Sequence, residues 1–355
     1  MGLGAVVVVG AKDQWLVRDR VRGSDADADN HSLLACPLEC IEVAGRSVVE
    51  RVVERYAALD IDAISVLVES GVFLPPFRAV PKNVRVEFAS DLGLAVSEKI
   101  SDYSQSGIDH AFVHWASVYV ETDLLDLFCF HREARQTATS TYDQDAFLPL
   151  WVVDCAKAED AHLEHLLSDA TRTGHARYFI REYVNRASHP RDLRQFASDM
   201  LRGRCQSGPS GHEAKPGIWL DERAEIHRRA RLVAPVYVGC DSKVRADALV
   251  TRFSSIERDC CIDCGTVVED TSVLANTTIG IWLDLCHAVA NGNMLLNLER
   301  EVLIEITDPS VLRSTAAVRK VPTQTEHAEA PEKVSKLKED QMPEGWQFGN
   351  IFIQE

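Results

Sequence analysis

Residues 220–274 read LDERAEIHRRARLVAPVYVGCDSKVRADALVTRFSSIERDCCIDCGTVVEDTSVL. An aliphatic residue recurs in them every six positions: Leu220, Ile226, Leu232, Val238, Val244, Val250, Ile256, Ile262, Val268 and Leu274. Four places after each stands a small or β-branched residue: Ala224, Ala230, Val236, Ser242, Ala248, Ser254, Cys260, Thr266, Ser272 and Thr278. Helices repeat near 3.6 and strands alternate by two, so neither produces a sustained six. With roughly a quarter of residues Leu, Ile or Val, ten consecutive hits arise by chance about once in a million trials. A hexapeptide period is the signature of a parallel β-helix. Each hexad supplies one short strand and a turn, and three hexads close a triangular coil. The large aliphatic residue stacks inside the prism, and the small one fits near a corner. Each coil bonds only to its neighbours, so stability builds by stacking. Ten hexads give a little over three coils. Ile279 and Leu285 are six apart but out of phase with Leu274, which predicts a distorted last coil or a cap after Leu274.

Upstream, strand-like and helix-like patterns alternate. Residues 5–9 and 63–68 are β-branched runs suited to strands buried on both faces. Val48, Val49, Val52, Val53, Tyr56 and Ala57 share one helix face. Residues 84–88 alternate like an edge strand, and 111–120 and 148–153 are further strands. Asp123 caps a helix running to about His131, and helices are expected over 160–169 and 191–201, the second with Pro190 near its start and Gly203 just past its end. Such alternation implies a largely parallel sheet covered on both faces. Residues 203–217, rich in Gly and Pro, are expected to be a linker. Residues 301–306 are one more strand, and Asp308-Pro309 marks a turn. The division is therefore an α/β domain over 1–202, a β-helix domain over 218–314, and a flexible tail over 315–355. The tail ends in an apolar peptide with Trp346, Phe348, Ile351, Phe352 and Ile353, fit to dock on the chain itself or on a partner.

At 355 residues the chain has room for two domains, and 46% hydrophobic content suffices for full cores. A net charge of −16 disfavours nucleic acid, whose phosphates call for Lys and Arg. The apolar run 5–9 is too short for a secretory signal and no stretch reaches membrane-spanning length, so a cytoplasmic protein without a membrane partner is expected. The ten cysteines are read as reduced thiols. Cys260, Cys261 and Cys264 look like half a zinc site, but the remaining pair, Cys36 and Cys40, has the wrong spacing, and no metal ligand is assigned.

This architecture resembles the sugar-phosphate nucleotidyltransferases, or NDP-sugar pyrophosphorylases. Pro37-Leu38, Val43-Ala44-Gly45 and the helix from Val48 are similar to the family's Pro-Leu, Val-Ala-Gly-Lys-Pro and helix. Residues 61–68 are similar to the strand after that helix. The stretch 111–133, with Asp123, Leu124, Phe130, His131, Arg132 and Glu133, is similar to the family's metal-binding strand and the helix ending in His-Arg-Glu. Residues 216–220 and the hexads look like its C-terminal domain, and the resemblance covers about residues 1–306. It implies α/β class: a Rossmann-like nucleotidyltransferase domain followed by a left-handed parallel β-helix. It also implies the joining of an NTP to a sugar 1-phosphate with release of pyrophosphate, assisted by Mg²⁺. It assigns Gly10, Ala11 and Lys12 to the nucleotide loop and Gly45 and Ser117 to the sugar-phosphate region.

The chain departs from that pattern where the chemistry sits. Gly10 is followed by Ala11, Lys12, Asp13, Gln14 and Trp15 rather than Gly-Thr-Arg. Ala35-Cys36-Pro37 replaces Pro-Lys-Pro, Gly45-Arg46-Ser47 replaces Gly-Lys-Pro, and Ala116-Ser117 replaces the Gly-Asp metal pair. A serine hydroxyl is a poor ligand for Mg²⁺. The expectation is a non-catalytic relative that binds a nucleotide or sugar nucleotide or acts as a scaffold, and that forms a homo-oligomer through the β-helix. Two alternatives stay open. One is an active enzyme using Lys12, Arg18, Arg20 and Arg22 over the phosphates. The other is a hexapeptide acyltransferase with His227 or His287 as general base. The residues identify no catalytic group.

Overall fold

The chain begins in a seven-stranded sheet of order β10-β8-β9-β6-β1-β4-β5. Its strands are β1 (Gly2–Val9), β4 (Ala63–Glu69), β5 (Val84–Ala89), β6 (Ile108–Trp115), β8 (Ala138–Asp143), β9 (Ala146–Asp154) and β10 (His175–Ile180). The β1–β4, β1–β6, β4–β5 and β8–β10 pairs are parallel, and only β9 runs against its neighbours. The computed structural model describes residues 2–10, 36–59, 61–78, 82–144, 146–160 and 175–315. Ala11, Lys12, Arg18, Arg20 and Arg22, most of the helix expected over 160–169, and the tail beyond Thr315 lie outside the described residues. Those described are mixed α/β, mostly strand, and no helix among them is long and apolar enough to cross a membrane. Residues Met1–Ala317 form one compact unit.

The period of two in β1 sorts its side chains. Val7 and Val9 enter one core with Val49, Val52 and Tyr56 of α1 (Val48–Ala57) and Phe196 of α5 (Pro190–Leu201). Val6 and Val8 enter the opposite core with Val96 and Ile100 of α2 (Leu92–Gln105) and Ala158 of α4 (Cys155–Asp160). Burial on both faces accounts for the unbroken valine run. Capping sets the helix starts: Ser47 accepts from Glu50 N–H, and Asp123 accepts from Leu125 and Asp126 N–H to open α3 (Leu124–Ala134). The strand expected over 111–120 is instead broken: β6 stops at Trp115, and β7 (Val118–Val120) leaves the sheet to pair with β11 (Val184–Arg186).

From Ile218 the chain enters three sheets in strict rotation. The twelve strands from β13 (Ile218–Leu220) to β24 (Asp284–Cys286) make four circuits, one more than the hexads suggested. Those of the first three circuits each pair in parallel with the strand one circuit on: Leu220 opposes Val238, Ile226 opposes Val244, and Leu232 opposes Val250. The offset of eighteen then drops to seventeen, with Ile256 opposite Val273 and Ile262 opposite Ile279. The slip therefore comes before Leu274, not after it. Val273 is the stacked residue, and Leu274 turns away to pack with Val289 and Leu296. The residues called linker also contain a strand, β12 (His212–Lys215), which runs antiparallel along β13 and covers that end of its sheet. At the other end β25 (Ala288–Asn291) leads into the antiparallel β26 (Met294–Asn297) and β27 (Val302–Glu305), while β28 (Leu312–Ser314) closes a second sheet.

The corner hydroxyls have a further role. Ser242 Oγ accepts the N–H of Cys260 at 3.0 Å, Thr266 Oγ1 that of Leu283 at 3.2 Å, and Thr277 Oγ1 that of Gly292 at 2.8 Å. The first two satisfy backbone donors one circuit away, and the third a donor in the turn between β25 and β26. Outside the prism, Arg223–Asp241 and Lys243–Glu225 also link successive circuits. These pairs are exposed, so they fix register more than they stabilise.

Candidate functional site

Open parallel sheets bind ligands beyond the carboxyl ends of their strands. Val8 opposes Trp115, and Ala116 N–H donates to Val8 O at 2.9 Å, so Gly10 and Ser117 lie side by side past the ends of β1 and β6. Gly10 has φ +151, and a Cβ there would lie 2.6 Å from Glu69 Oε2 and 2.9 Å from Leu92 Cδ1. Its N–H donates to Glu39 Oε1 at 3.3 Å. Glu39 is buried in the 3₁₀ turn Leu38–Cys40. Two carboxylates thus crowd the glycine that the sequence assigned to the nucleotide. Burial, reinforced by Glu39, pushes the Cys36 thiol up to about 11, which keeps it protonated and poorly nucleophilic.

Ser117 is buried, and its hydroxyl has no hydrogen-bond partner among the described residues. No group of three or more His, Cys, Asp or Glu side chains among them is placed to hold a metal ion. Ser117 itself offers only a neutral hydroxyl, a poor ligand for Mg²⁺, which is a hard cation that takes oxygen anions.

Gly45 is placed differently. It forms, with Ala44, the tip of a hairpin between β2 (Glu42–Val43) and β3 (Arg46–Ser47). Ala44 has φ +49 and Gly45 φ +88, the paired positive values of a tight two-residue turn. The tip presses against the second half of the chain. Ala44 and Gly45 N–H donate to the two carboxyl oxygens of Glu257, each at 2.9 Å. From the other side Arg51 donates to Val43 O at 2.7 Å and to Gly208 O at 3.0 Å. A Cβ on Gly45 would overlap Tyr237 Oη and sit 2.8 Å from Ser210 Cβ. Tyr237 donates to Asp221 at 2.9 Å, and Asp221 also pairs with Arg78 at 2.7 Å. Burial raises the Glu257 carboxyl to about 8, while the two N–H donors and Arg51 pull the other way.

The structure therefore brings Gly10 and Ser117 together and sets Gly45 in a buried junction between the sheet and the coils. Glu39, Arg51 and Glu257 went unnoticed in the sequence. Glu257 follows inward-facing Ile256 and so occupies an outward position, where a charged residue ordinarily meets water and carries no signal.

The histidines considered as general bases lie on separate circuits. His227 is exposed and its Nδ1 accepts Arg229 N–H at 3.2 Å. His287 pairs with Asp270 at 2.6 Å. His114, which drew no attention in the sequence, is fully buried between Tyr56 Oη and Val118 O, and burial lowers it to about 4, so it is neutral near pH 7. All ten cysteines are free, and Cys260 points inward, its thiol donating to Leu274 O at 3.1 Å. Set beside known proteins, the chain matches no protein-family model, and no curated protein matches it.

Proposed function

We infer that the chain is a sugar-phosphate nucleotidyltransferase-like protein that does not turn over, and that it serves as a scaffold subunit. In this reading the first half is a Rossmann-like nucleotidyltransferase domain and the second a left-handed parallel β-helix. The sheet order, with Gly10 and Ser117 at its carboxyl edge, and the rotation through three sheets support that assignment. One observation carries the loss of activity. The backbone N–H groups of Gly10 and Gly45, which the resemblance assigns to phosphate-bearing ligands, are taken by the chain's own carboxylates, Glu39 and Glu257. A phosphate arriving there meets a donor that is already occupied in place of a free one. Of the two uses left to such a subunit, holding a nucleotide or organising a partner, the occupied amides favour the second. Self-association through the coil faces is part of the proposal, and light scattering giving a monomer would count against it.

The test is pyrophosphate release with Mg²⁺ across the common NTPs and a panel of sugar 1-phosphates, on protein shown to be folded by circular dichroism. No release is expected. Release that depends on both substrates would restore the enzyme and overturn the inference.

A further inference from the structure

A second cleft lies away from the sheet edge, where α5 meets a corner of the coil and the β26–β27 turn. It measures about 400 Å³, within the range of small-molecule sites, and Arg191, Arg194, Arg202, Asp270 and His287 line it. Three guanidiniums converging on one hollow are unexpected in a chain of net charge −16.

Arg194 is the informative member. Its side chain is 5% exposed and pairs with Asp270 through Nη2 alone. Its Nε and Nη1 are buried with no hydrogen-bond partner among the described residues. A buried guanidinium with two idle nitrogens is an incomplete arrangement, since buried charges in folded proteins are paired and hydrogen-bonded. Arg202 lies over the Phe253 ring at 4.1 Å and has no carboxylate partner among the described residues. Arg191 reaches Glu301 at 2.8 Å but remains half exposed. Asp270 joins Arg194 to His287 and so fixes both. Glu299 stands at the exposed rim and is the cleft's other carboxylate.

We propose that this cleft binds the phosphate group of a small phosphorylated metabolite, with Arg194 as buried anchor and Arg191 and Arg202 closing on the remaining oxygens. Guanidinium forks match the geometry of phosphate oxygens, and Arg202 is held in place by its ring contact. A polyanion such as nucleic acid would need an extended basic surface, which a chain of this charge does not offer. The proposal does not depend on the nucleotidyltransferase reading, because none of these residues belongs to the crevice at Gly10 and Ser117.

Titration calorimetry on the full chain, at constant ionic strength in chloride, tests it with inorganic phosphate, glucose 6-phosphate and citrate as probes. Saturable binding of phosphate or of the sugar phosphate is expected, tighter than that of citrate. A tighter sugar phosphate marks an organic ligand, whereas equal affinity marks free phosphate. Removing a charged hydrogen-bond donor weakens binding by roughly tenfold or more, so Arg191→Gln and Arg202→Gln are each expected to do so. Both side chains are exposed enough for the variants to fold, unlike Arg194, whose loss would strand Asp270. Failure of both phosphates to saturate below about 10 mM, an affinity near −2.7 kcal/mol, would overturn the proposal. So would unchanged phosphate affinity in the Arg191→Gln/Arg202→Gln double variant.

Discussion

Gly45→Ala tests whether the hairpin tip is wedged into the coil. Two costs add at that position. A side chain at φ +88 costs about 1–2 kcal/mol for the left-handed backbone alone. The new methyl also overlaps Tyr237 Oη and Ser210, and forcing an extra carbon into a packed site costs about 1–3 kcal/mol. The sum is about 2–5 kcal/mol. Gly107 supplies the control, since its φ is +83 and nothing lies within 4 Å of a Cβ built there. Gly107→Ala should therefore show the backbone cost alone. Urea unfolding of both variants, followed by circular dichroism at one pH, isolates the contact as their difference, expected at about 1–3 kcal/mol. If the two variants lose the same stability within about 0.5 kcal/mol, the tip is not pressed on Tyr237 and the junction as argued does not exist.

Glu257→Ala removes the acceptor of two buried N–H groups and should cost about 2–6 kcal/mol by the same measurement. The Glu257 carboxyl is raised from 4.5 to about 8, so between those values the native state holds a proton that the unfolded chain has released. Its contribution is full below pH 4.5 and is lost as pH rises through 8, a fall of up to about 1.4 kcal/mol per pH unit that Glu257→Ala should lack. Thr266→Val keeps the shape of the corner but leaves Leu283 N–H without its acceptor, and urea unfolding should register a loss of about 1–3 kcal/mol. Ile262→Ala opens a cavity at a fully buried stacked position and should cost about 2–5 kcal/mol, read from the urea midpoint.

The coil was legible because its inward position tolerates only one kind of side chain, and the requirement repeats each circuit. The same regularity misplaced the slip. Leu274 continues the six-residue count, yet one residue fewer separates Val268 from the next stacked position, Val273. Two aliphatic neighbours facing opposite ways look alike in a linear pattern. β8 was missed for the reverse reason. Its Thr139, Ser140 and Thr141 are polar in sequence but fully buried, with Thr141 donating to Leu150 O at 2.8 Å and Thr139 bonded to His131 at 2.8 Å. Hydrophobic periodicity registers the polarity of these side chains and not the hydrogen bonds that satisfy them inside the core. The break in β6 lay inside an apolar run that continues unchanged through Ala116 to Val120 apart from Ser117.

The candidate site was legible as positions and illegible as chemistry, and the two carboxylates explain why. Gly10 and Gly45 are glycines for the reasons the motif suggests, positive φ and close approach of other atoms. What approaches, however, is Glu39 in one case and the hairpin's neighbours on the coil, Glu257 and Tyr237, in the other. An internal carboxylate is tethered at an effective concentration that a free ligand reaches only in the millimolar range or above. A phosphate at Gly10 would have to displace Glu39 from a buried position and then lie beside Glu69. A motif records that backbone donors are exposed to something, and residues 29 and 212 positions away in the chain determine whether that something is a substrate.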